Sequence, residues 1–157
     1  MQIIDNFLEP EKFTVIQQTL MSDTFPWFYR PGSAYTKDGV SQLVHLFYDF
    51  LSNSSYIGLL DPVLKKLNVL ALVRIKANLT YPNKKAGSVH TDYTYKNLKT
   101  AIYYLNTNDG GTKIKGKPVK SIANRMVIFP SSTPHTIMRH TNPNIGRFVI
   151  NFNYYEC

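Results

Sequence analysis

The sequence predicts an α+β protein that is mainly β, a double-stranded β-helix (jelly roll) with N-terminal helices packed on one sheet. Three observations carry this. Residues 69–80 alternate in polarity, with Val69, Ala71, Val73, Ile75, Ala77 and Leu79 on one face and Arg74, Lys76 and Asn78 on the other. Further short strand candidates follow at 100–105, 113–115, 118–122, 125–129, 135–139 and 147–155. Between them stands turn chemistry: Asn108-Asp109-Gly110-Gly111, Ala123-Asn124, Pro130-Ser131-Ser132 and Thr141-Asn142-Pro143-Asn144.

Before residue 69 the signals are helical. Glu9-Pro10-Glu11 opens a helix through Phe13, Ile16, Gln17 and Leu20, with acidic residues and proline in the turn that tolerates them. Phe25-Pro26-Trp27-Phe28-Tyr29 reads as an extended segment packed on the core, and residues 42–51 are ambiguous between strand and helix. Ser54 or Ser55 caps a second predicted helix ending near Leu67, with Pro62 as a kink or break. The expected organisation is one domain over residues 1–157, helical over about 1–68 and a jelly-roll core over about 69–157.

The 11 tyrosines, 9 phenylalanines and 43% apolar content supply a core and exclude a disordered chain. There is no apolar run of about eighteen residues, so no membrane span is expected. The start Met1-Gln2-Ile3-Ile4-Asp5 lacks a secretory signal, and the lone Cys157 cannot form an internal disulfide. A cytoplasmic location is the expectation. A net charge of +8 admits nucleic acid as a partner, but no basic, aromatic-interleaved motif accompanies it, so nucleic acid is not favoured. Lys113, Lys115 and Lys117 fit a charged edge hairpin better than a substrate rim.

The residues that carry chemistry are His90-Thr91-Asp92, His135 and Arg147. On a strand, His90 and Asp92 would share a face. A distant His135, held after the stiff Pro130 to Pro134 loop, completes two histidines and a carboxylate, a set suited to non-haem Fe(II) with open positions. Arg147, Val149, Asn151 and Asn153 fall on one face of the last strand, toward the inside of the roll. Phe148, Ile150, Phe152 and Tyr154 face the helices. A buried arginine needs an anionic ligand or a structural carboxylate. His45 reads as a packed, hydrogen-bonded histidine, and His140 as a solvent or supporting residue on the face opposite His135.

With these residues the second half resembles the Fe(II)- and 2-oxoglutarate-dependent oxygenases, in pattern the prolyl-hydroxylase branch and its small phage-encoded relatives. The resemblance spans about residues 69–155. It rests on His90-Thr91-Asp92, on Ala101 through Asn106 with Gly110-Gly111-Thr112, on Arg125 through Ser131 leading to His135, and on Gly146-Arg147-Phe148. It implies His90, Asp92 and His135 as catalytic iron ligands. It also implies that Arg147 pairs with the distal carboxylate of 2-oxoglutarate, that Tyr104 donates to that carboxylate, and that Tyr81 approaches the co-substrate near the metal. Core packing is the alternative for both tyrosines.

The implied cofactors are Fe(II), the co-substrate 2-oxoglutarate and O2, with ascorbate in a supporting role. The implied activity is hydroxylation of a protein or peptide side chain, prolyl-hydroxylase-like, with release of succinate and CO2. Oxidation of a nucleobase or small molecule, or a non-catalytic jelly-roll binding module, are the alternatives. The expected partner is a protein, peptide or small-molecule substrate, in the host cytoplasm if the chain is phage-encoded. Departures from the family pattern are Asn151 and Asn153, where relatives place bulkier groups, and a loop before His90 that lacks a second tyrosine.

Overall fold

The computed structural model describes residues 1–32, 40–50, 52–82 and 87–157. Along the chain run β1 (Gln2–Ile4), α1 (Pro10–Leu20), β2 (Phe28–Arg30), β3 (Gln42–Asp49), β4 (Ser52–Asn53), a 3-10 turn (Ile57–Leu60) and α2 (Asp61–Lys66). There follow β5 (Val69–Thr80), β6 (Lys99–Tyr104), β7 (Gly111–Ile114), β8 (Lys117–Lys120), β9 (Arg125–Pro130), β10 (His135–Met138) and β11 (Arg147–Glu156). Among the described residues, eight strands form a large sheet ordered β1-β9-β6-β11-β5-β3-β2, with β4 on β3, and three form a small sheet ordered β10-β7-β8. The mainly β jelly roll with helices on one sheet is thus the observed architecture.

The alternation of β11 sorts the two cores. Ile150, Phe152 and Tyr154 pack with Ala101, Tyr103, Ile75 and Ala77 against Phe13, Ile16 and Leu20 of α1 and Val63 of α2. On the other face Val149 joins Ile102, Tyr104, Val127 and Phe129, closed by Ile114 and Val119 of the small sheet. α1 supplies its share because Phe13, Ile16 and Leu20 recur at helical spacing and are buried.

Several local expectations change. Residues 42–49 are strand, not helix, with β3 paired to both β5 and β2; Leu51 lies outside the described residues, as do Asp38 and Gly39, which the sequence places in a loop. The first 68 residues therefore supply four strands as well as helices. The second helix is split. Ser54 Oγ accepts from the Tyr56 amide at 3.1 Å, so it closes a turn. Pro62, which has no N–H to give, sits in the first turn of α2 rather than inside a longer helix. Phe28 and Tyr29 are exposed, while Phe25 is buried.

The alternation of β5 also breaks twice, the second time where Tyr155 pairs with Ala71 but Glu156 with Val69. Asn153 pairs with Arg74 but Tyr154 with Leu72, so Val73 is the extra residue of a bulge. Leu72 and Val69 then pack on the helix-side core while Ala71 is exposed.

A tight turn accounts for one glycine and a close approach of two strands for another. Lys115 and Gly116 have φ of 47° and 77°, the paired left-handed residues of a two-residue hairpin turn between β7 and β8. A side chain at Gly111 would place its Cβ 2.1 Å from the Val119 carbonyl oxygen, so the β7–β8 pairing requires glycine there. At the other end, Asn124 clamps the N-terminal segment. Its Oδ1 accepts from Leu8 N and Tyr103 Oη at 2.9 and 2.6 Å, and its Nδ2 donates to Leu8 O at 2.8 Å.

Candidate active site

His90 and Asp92 are not on one regular strand. His90 forms an isolated antiparallel bridge with His135. The two residues exchange both backbone bonds, His90 N to His135 O at 3.0 Å and His135 N to His90 O at 2.9 Å. Side chains of such a directly opposed pair lie on the same face of the ladder, so the bridge itself brings the imidazoles side by side, with ring centroids 4.4 Å apart. Asp92 is then held by its amide, which donates to Ser131 O at 3.2 Å.

The result is a cluster of three ligand atoms, all within 4.8 Å of one another. His90 Nε2 is 3.9 Å and His135 Nε2 is 3.8 Å from Asp92 Oδ1. Bonds of about 2.1 Å place ligand atoms roughly 3–4 Å apart around one cation, so small side-chain movements complete the grip.

Hydrogen bonds orient each member. His90 Nδ1 lies 3.1 Å from Ser88 O, and His135 Nδ1 lies 3.0 Å from Thr133 O. A carbonyl only accepts, so both Nδ1 atoms carry hydrogen, and both Nε2 atoms face the cluster. Burial lowers the His90 pKa; the Ser88 carbonyl opposes this and neighbouring His135 adds to it. That keeps the ring in the neutral form that a metal requires.

The Asp92 carboxylate is divided between two tasks. Oδ2 accepts from Thr100 Oγ1 at 3.0 Å, Asn153 Nδ2 at 2.9 Å and Asn151 Nδ2 at 3.3 Å. Oδ1 faces the histidines, with Arg74 Nη2 3.5 Å away. Burial pushes its pKa up, but Arg74, His135 and the Asn153 and Thr100 donors outweigh that and hold it below the ordinary carboxylate value. The donor set, two imidazole nitrogens and one oriented carboxylate oxygen, fits a divalent ion with open positions.

The same cavity is lined by Arg147, Thr112, Ile102, Val149 and Ile137. Arg147 is 2% exposed. Its Nη2 donates to Thr112 Oγ1 at 3.0 Å, and its guanidinium carbon lies 5.5 Å from the Tyr104 ring centroid. Its Nε is buried with no partner. Among the described residues no carboxylate forms an ion pair with it. Burial lowers its pKa, with Tyr104 opposing. Tyr104 Oη donates to the same Thr112 Oγ1 at 2.9 Å, so Tyr104 stands behind Thr112 and Arg147.

Tyr81 is placed otherwise. It is 55% exposed and does not line the cavity. Thr80 is level with Arg147 on the cavity side of β5, and the next residue along an extended chain turns the other way. Asn83 to Ala86 of the following loop lie outside the described residues. Of the two readings of His140 the solvent one is overturned: it is 3% exposed, and its Nε2 has no partner. His45 is packed as expected, with Nδ1 2.8 Å from Pro26 O and Nε2 2.8 Å from Ser54 Oγ.

Sequence reasoning assigned no role to Thr112, Arg74, Lys76, Asn78 or Gln42, which all line the cavity. The alternation of β5 carried the signal for three of them, because the polar face of β5 and the Arg147 face of β11 are the same face of one sheet.

A family profile described as the 2OG-Fe(II) oxygenase superfamily matches residues 78–155. Among solved structures the chain is similar to a Trichoplax adhaerens prolyl hydroxylase in complex with a hypoxia inducible factor oxygen degradation domain peptide fragment. The identity is 19% and the TM-score 0.66, covering 99% of this chain and 83% of that one. It is similar to a Pseudomonas putida prolyl-4-hydroxylase at 14% identity and a TM-score of 0.61, covering 99% and 92%. The non-heme alpha ketoglutarate dependent epimerase SnoN from nogalamycin biosynthesis gives 12% identity and a TM-score of 0.70, covering 98% and 76%. At these identities the structural likeness establishes the fold. No curated protein matches the sequence.

Proposed function

The chain belongs to the 2OG-Fe(II) oxygenase superfamily, enzymes that use Fe(II), 2-oxoglutarate and O2, and we propose that it hydroxylates a protein or peptide side chain in the manner of a prolyl hydroxylase. The observation that carries this is the pairing, in one cavity, of the His90, Asp92 and His135 cluster with the buried, carboxylate-free Arg147. His90, Asp92 and His135 would hold Fe(II), and Arg147, backed by Thr112 and Tyr104, would hold the distal carboxylate of 2-oxoglutarate. Bound there, the metal and co-substrate supply the oxidising chemistry, in which 2-oxoglutarate and O2 become succinate and CO2 while one oxygen atom enters a substrate C–H bond.

The protein's own part is placement. Thr100, Asn151 and Asn153 fix one oxygen of Asp92 so that the other is presented to the metal. The Ser88 and Thr133 carbonyls fix both imidazole tautomers. Ile102, Ile137 and Val149 supply the apolar part of the wall, and the burial of Arg147 strengthens its attraction to an anion. In this reading Tyr81 makes no contact with the co-substrate. A peptide as substrate is supported by the peptide fragment bound to the Trichoplax enzyme. Among the described residues no helix is long and apolar enough to cross a membrane, and action in the cytoplasm is part of the proposal.

The test is succinate release from 2-oxoglutarate under air, with proline-containing peptides scored for one added oxygen by mass spectrometry. Release that requires Fe(II), rises with peptide and disappears in His135→Ala supports the reading. Oxidation of a nucleoside or small metabolite in place of every peptide redirects it. Folded wild-type protein that binds neither metal nor 2-oxoglutarate sinks it.

A further inference from the structure

β5 brings a second set of polar groups into the cavity. Arg74, Lys76 and Asn78 all line it. Lys76 is level with Asn151 on β11, while Arg147 is level with Thr80. Four residues of strand separate the two rungs, roughly 13 Å along the sheet, so Lys76 and Arg147 stand at different ends of the one cavity.

Among the described residues the charges at this end do not balance. Asp92 is the carboxylate beside them, Arg74 already approaches its Oδ1 at 3.5 Å, and in the proposed enzyme that oxygen belongs to the metal. Arg74 Nε is buried with no partner. Lys76 is half-buried and, among the described residues, makes no ion pair or side-chain hydrogen bond. Burial lowers its pKa to about 8, with Arg74 and Arg30 adding to the effect and Asp92 opposing it, as expected of a locally electropositive recess. Next to these two donors is an acceptor: Asn151 donates through Nδ2 to Asp92, and its Oδ1 is buried with no partner.

We propose that Arg74 and Lys76 form a carboxylate-binding subsite for the substrate, which is an acidic peptide whose Asp or Glu side chain meets the two cations while a backbone N–H donates to Asn151 Oδ1. The proposal rests on the oxygenase reading above and deepens it. A recess with two cations and one acceptor matches a single carboxylate with a neighbouring amide. A nucleic-acid backbone would instead call for a longer, exposed track of cations.

The experiment uses the full chain loaded with Zn(II), a diamagnetic and non-oxidising stand-in, and saturated with 2-oxoglutarate. Alanine-rich heptapeptides with a central proline and one flanking Glu, Gln or Lys are titrated, following backbone amide shifts by NMR. The Glu peptide should shift the amides of residues 74–78 and bind about tenfold more tightly than the Gln peptide. Lys76→Met should erase that ratio, and Lys76→Glu should turn it in favour of the Lys peptide. Because the ratio is taken within each protein, a general loss of binding does not mimic the effect. Equal affinities for Glu and Gln peptides in the wild type, or no shift from either at millimolar concentration, overturn the subsite. Tighter binding of a hexathymidylate, falling steeply with salt, overturns the peptide assignment. The preceding 2-oxoglutarate titration is read at the amides of Arg147 and Thr112, so failure of the enzyme reading is seen separately from failure of the subsite.

Discussion

Arg147→Met should move stability and ligand binding in opposite directions. The guanidinium is 2% exposed, donates once to Thr112, lies over Tyr104 and leaves Nε unpartnered. Methionine forfeits a hydrogen bond from a charged donor, about 2 kcal/mol, and a cation–π contact of about 1–2 kcal/mol. It also removes a buried charge that, among the described residues, lacks a counter-ion, a cost of several kcal/mol. The last effect is the largest, so the variant without 2-oxoglutarate should be more stable by roughly 1–3 kcal/mol. For a chain of this size each kcal/mol is about 2–4 °C in Tm.

Binding should respond the other way. A desolvated charge-assisted contact to a carboxylate is worth about 3–5 kcal/mol, so the Kd for 2-oxoglutarate should rise roughly 150- to 5,000-fold. Urea unfolding of Zn(II)-loaded protein with and without 2-oxoglutarate measures both. At a ligand concentration of a hundred times its Kd, the wild type should gain about 2.7 kcal/mol, and the variant at that concentration well under about 1 kcal/mol. A variant destabilised by more than about 2 kcal/mol without ligand, or protected as well as the wild type, would refute the reasoning.

Three further outcomes follow from the geometry. Asn153→Leu removes the 2.9 Å donor to Asp92 Oδ2 and should weaken Zn(II) affinity about 10- to 100-fold in a chelator competition; an unchanged affinity would show that Asp92 is oriented without it. Lys76 titrates near 8 when folded against an ordinary 10.5. The unfolded chain therefore binds more protons between those values, and this lysine makes stability rise with pH across that window. Lys76→Met should flatten the rise in urea midpoints, and parallel profiles for variant and wild type would contradict the assignment. Asn124→Ala loses the clamp on Leu8 and Tyr103 at a residue with φ of 61°. It should cost about 3 kcal/mol in chemical denaturation, and a loss under about 1 kcal/mol would mean that the N-terminal segment docks without it.

Period-two alternation made the jelly-roll strands legible, and the sorting of Arg147, Val149, Asn151 and Asn153 from Phe148, Ile150, Phe152 and Tyr154 survived because β11 lies between two different cores. The cluster of His90, Asp92 and His135 was legible by residue type but not by its true cause. The backbone bridge between His90 and His135 depends on β10 folding across the site, a non-local pairing that spacing does not reveal. Tyr81 is exposed and does not line the cavity; a motif match carries no information about the face on which the strand ends. The Val73 bulge shifted the phase of β5 for a reason that lies in its partner strand, β11. Arg74 and Lys76 were visible on the polar face of β5, but a polar face signals solvent unless the opposing wall is known.

One cavity is proposed to hold both a metal and a carboxylate, and the anaerobic visible spectrum tests this most directly. Fe(II) and 2-oxoglutarate added together without oxygen should produce the weak charge-transfer band of a chelated complex. That band should be absent in His135→Ala and should need far more 2-oxoglutarate in Arg147→Met. A wild-type protein that is folded, binds Fe(II) and shows no band at saturating 2-oxoglutarate would contradict the account.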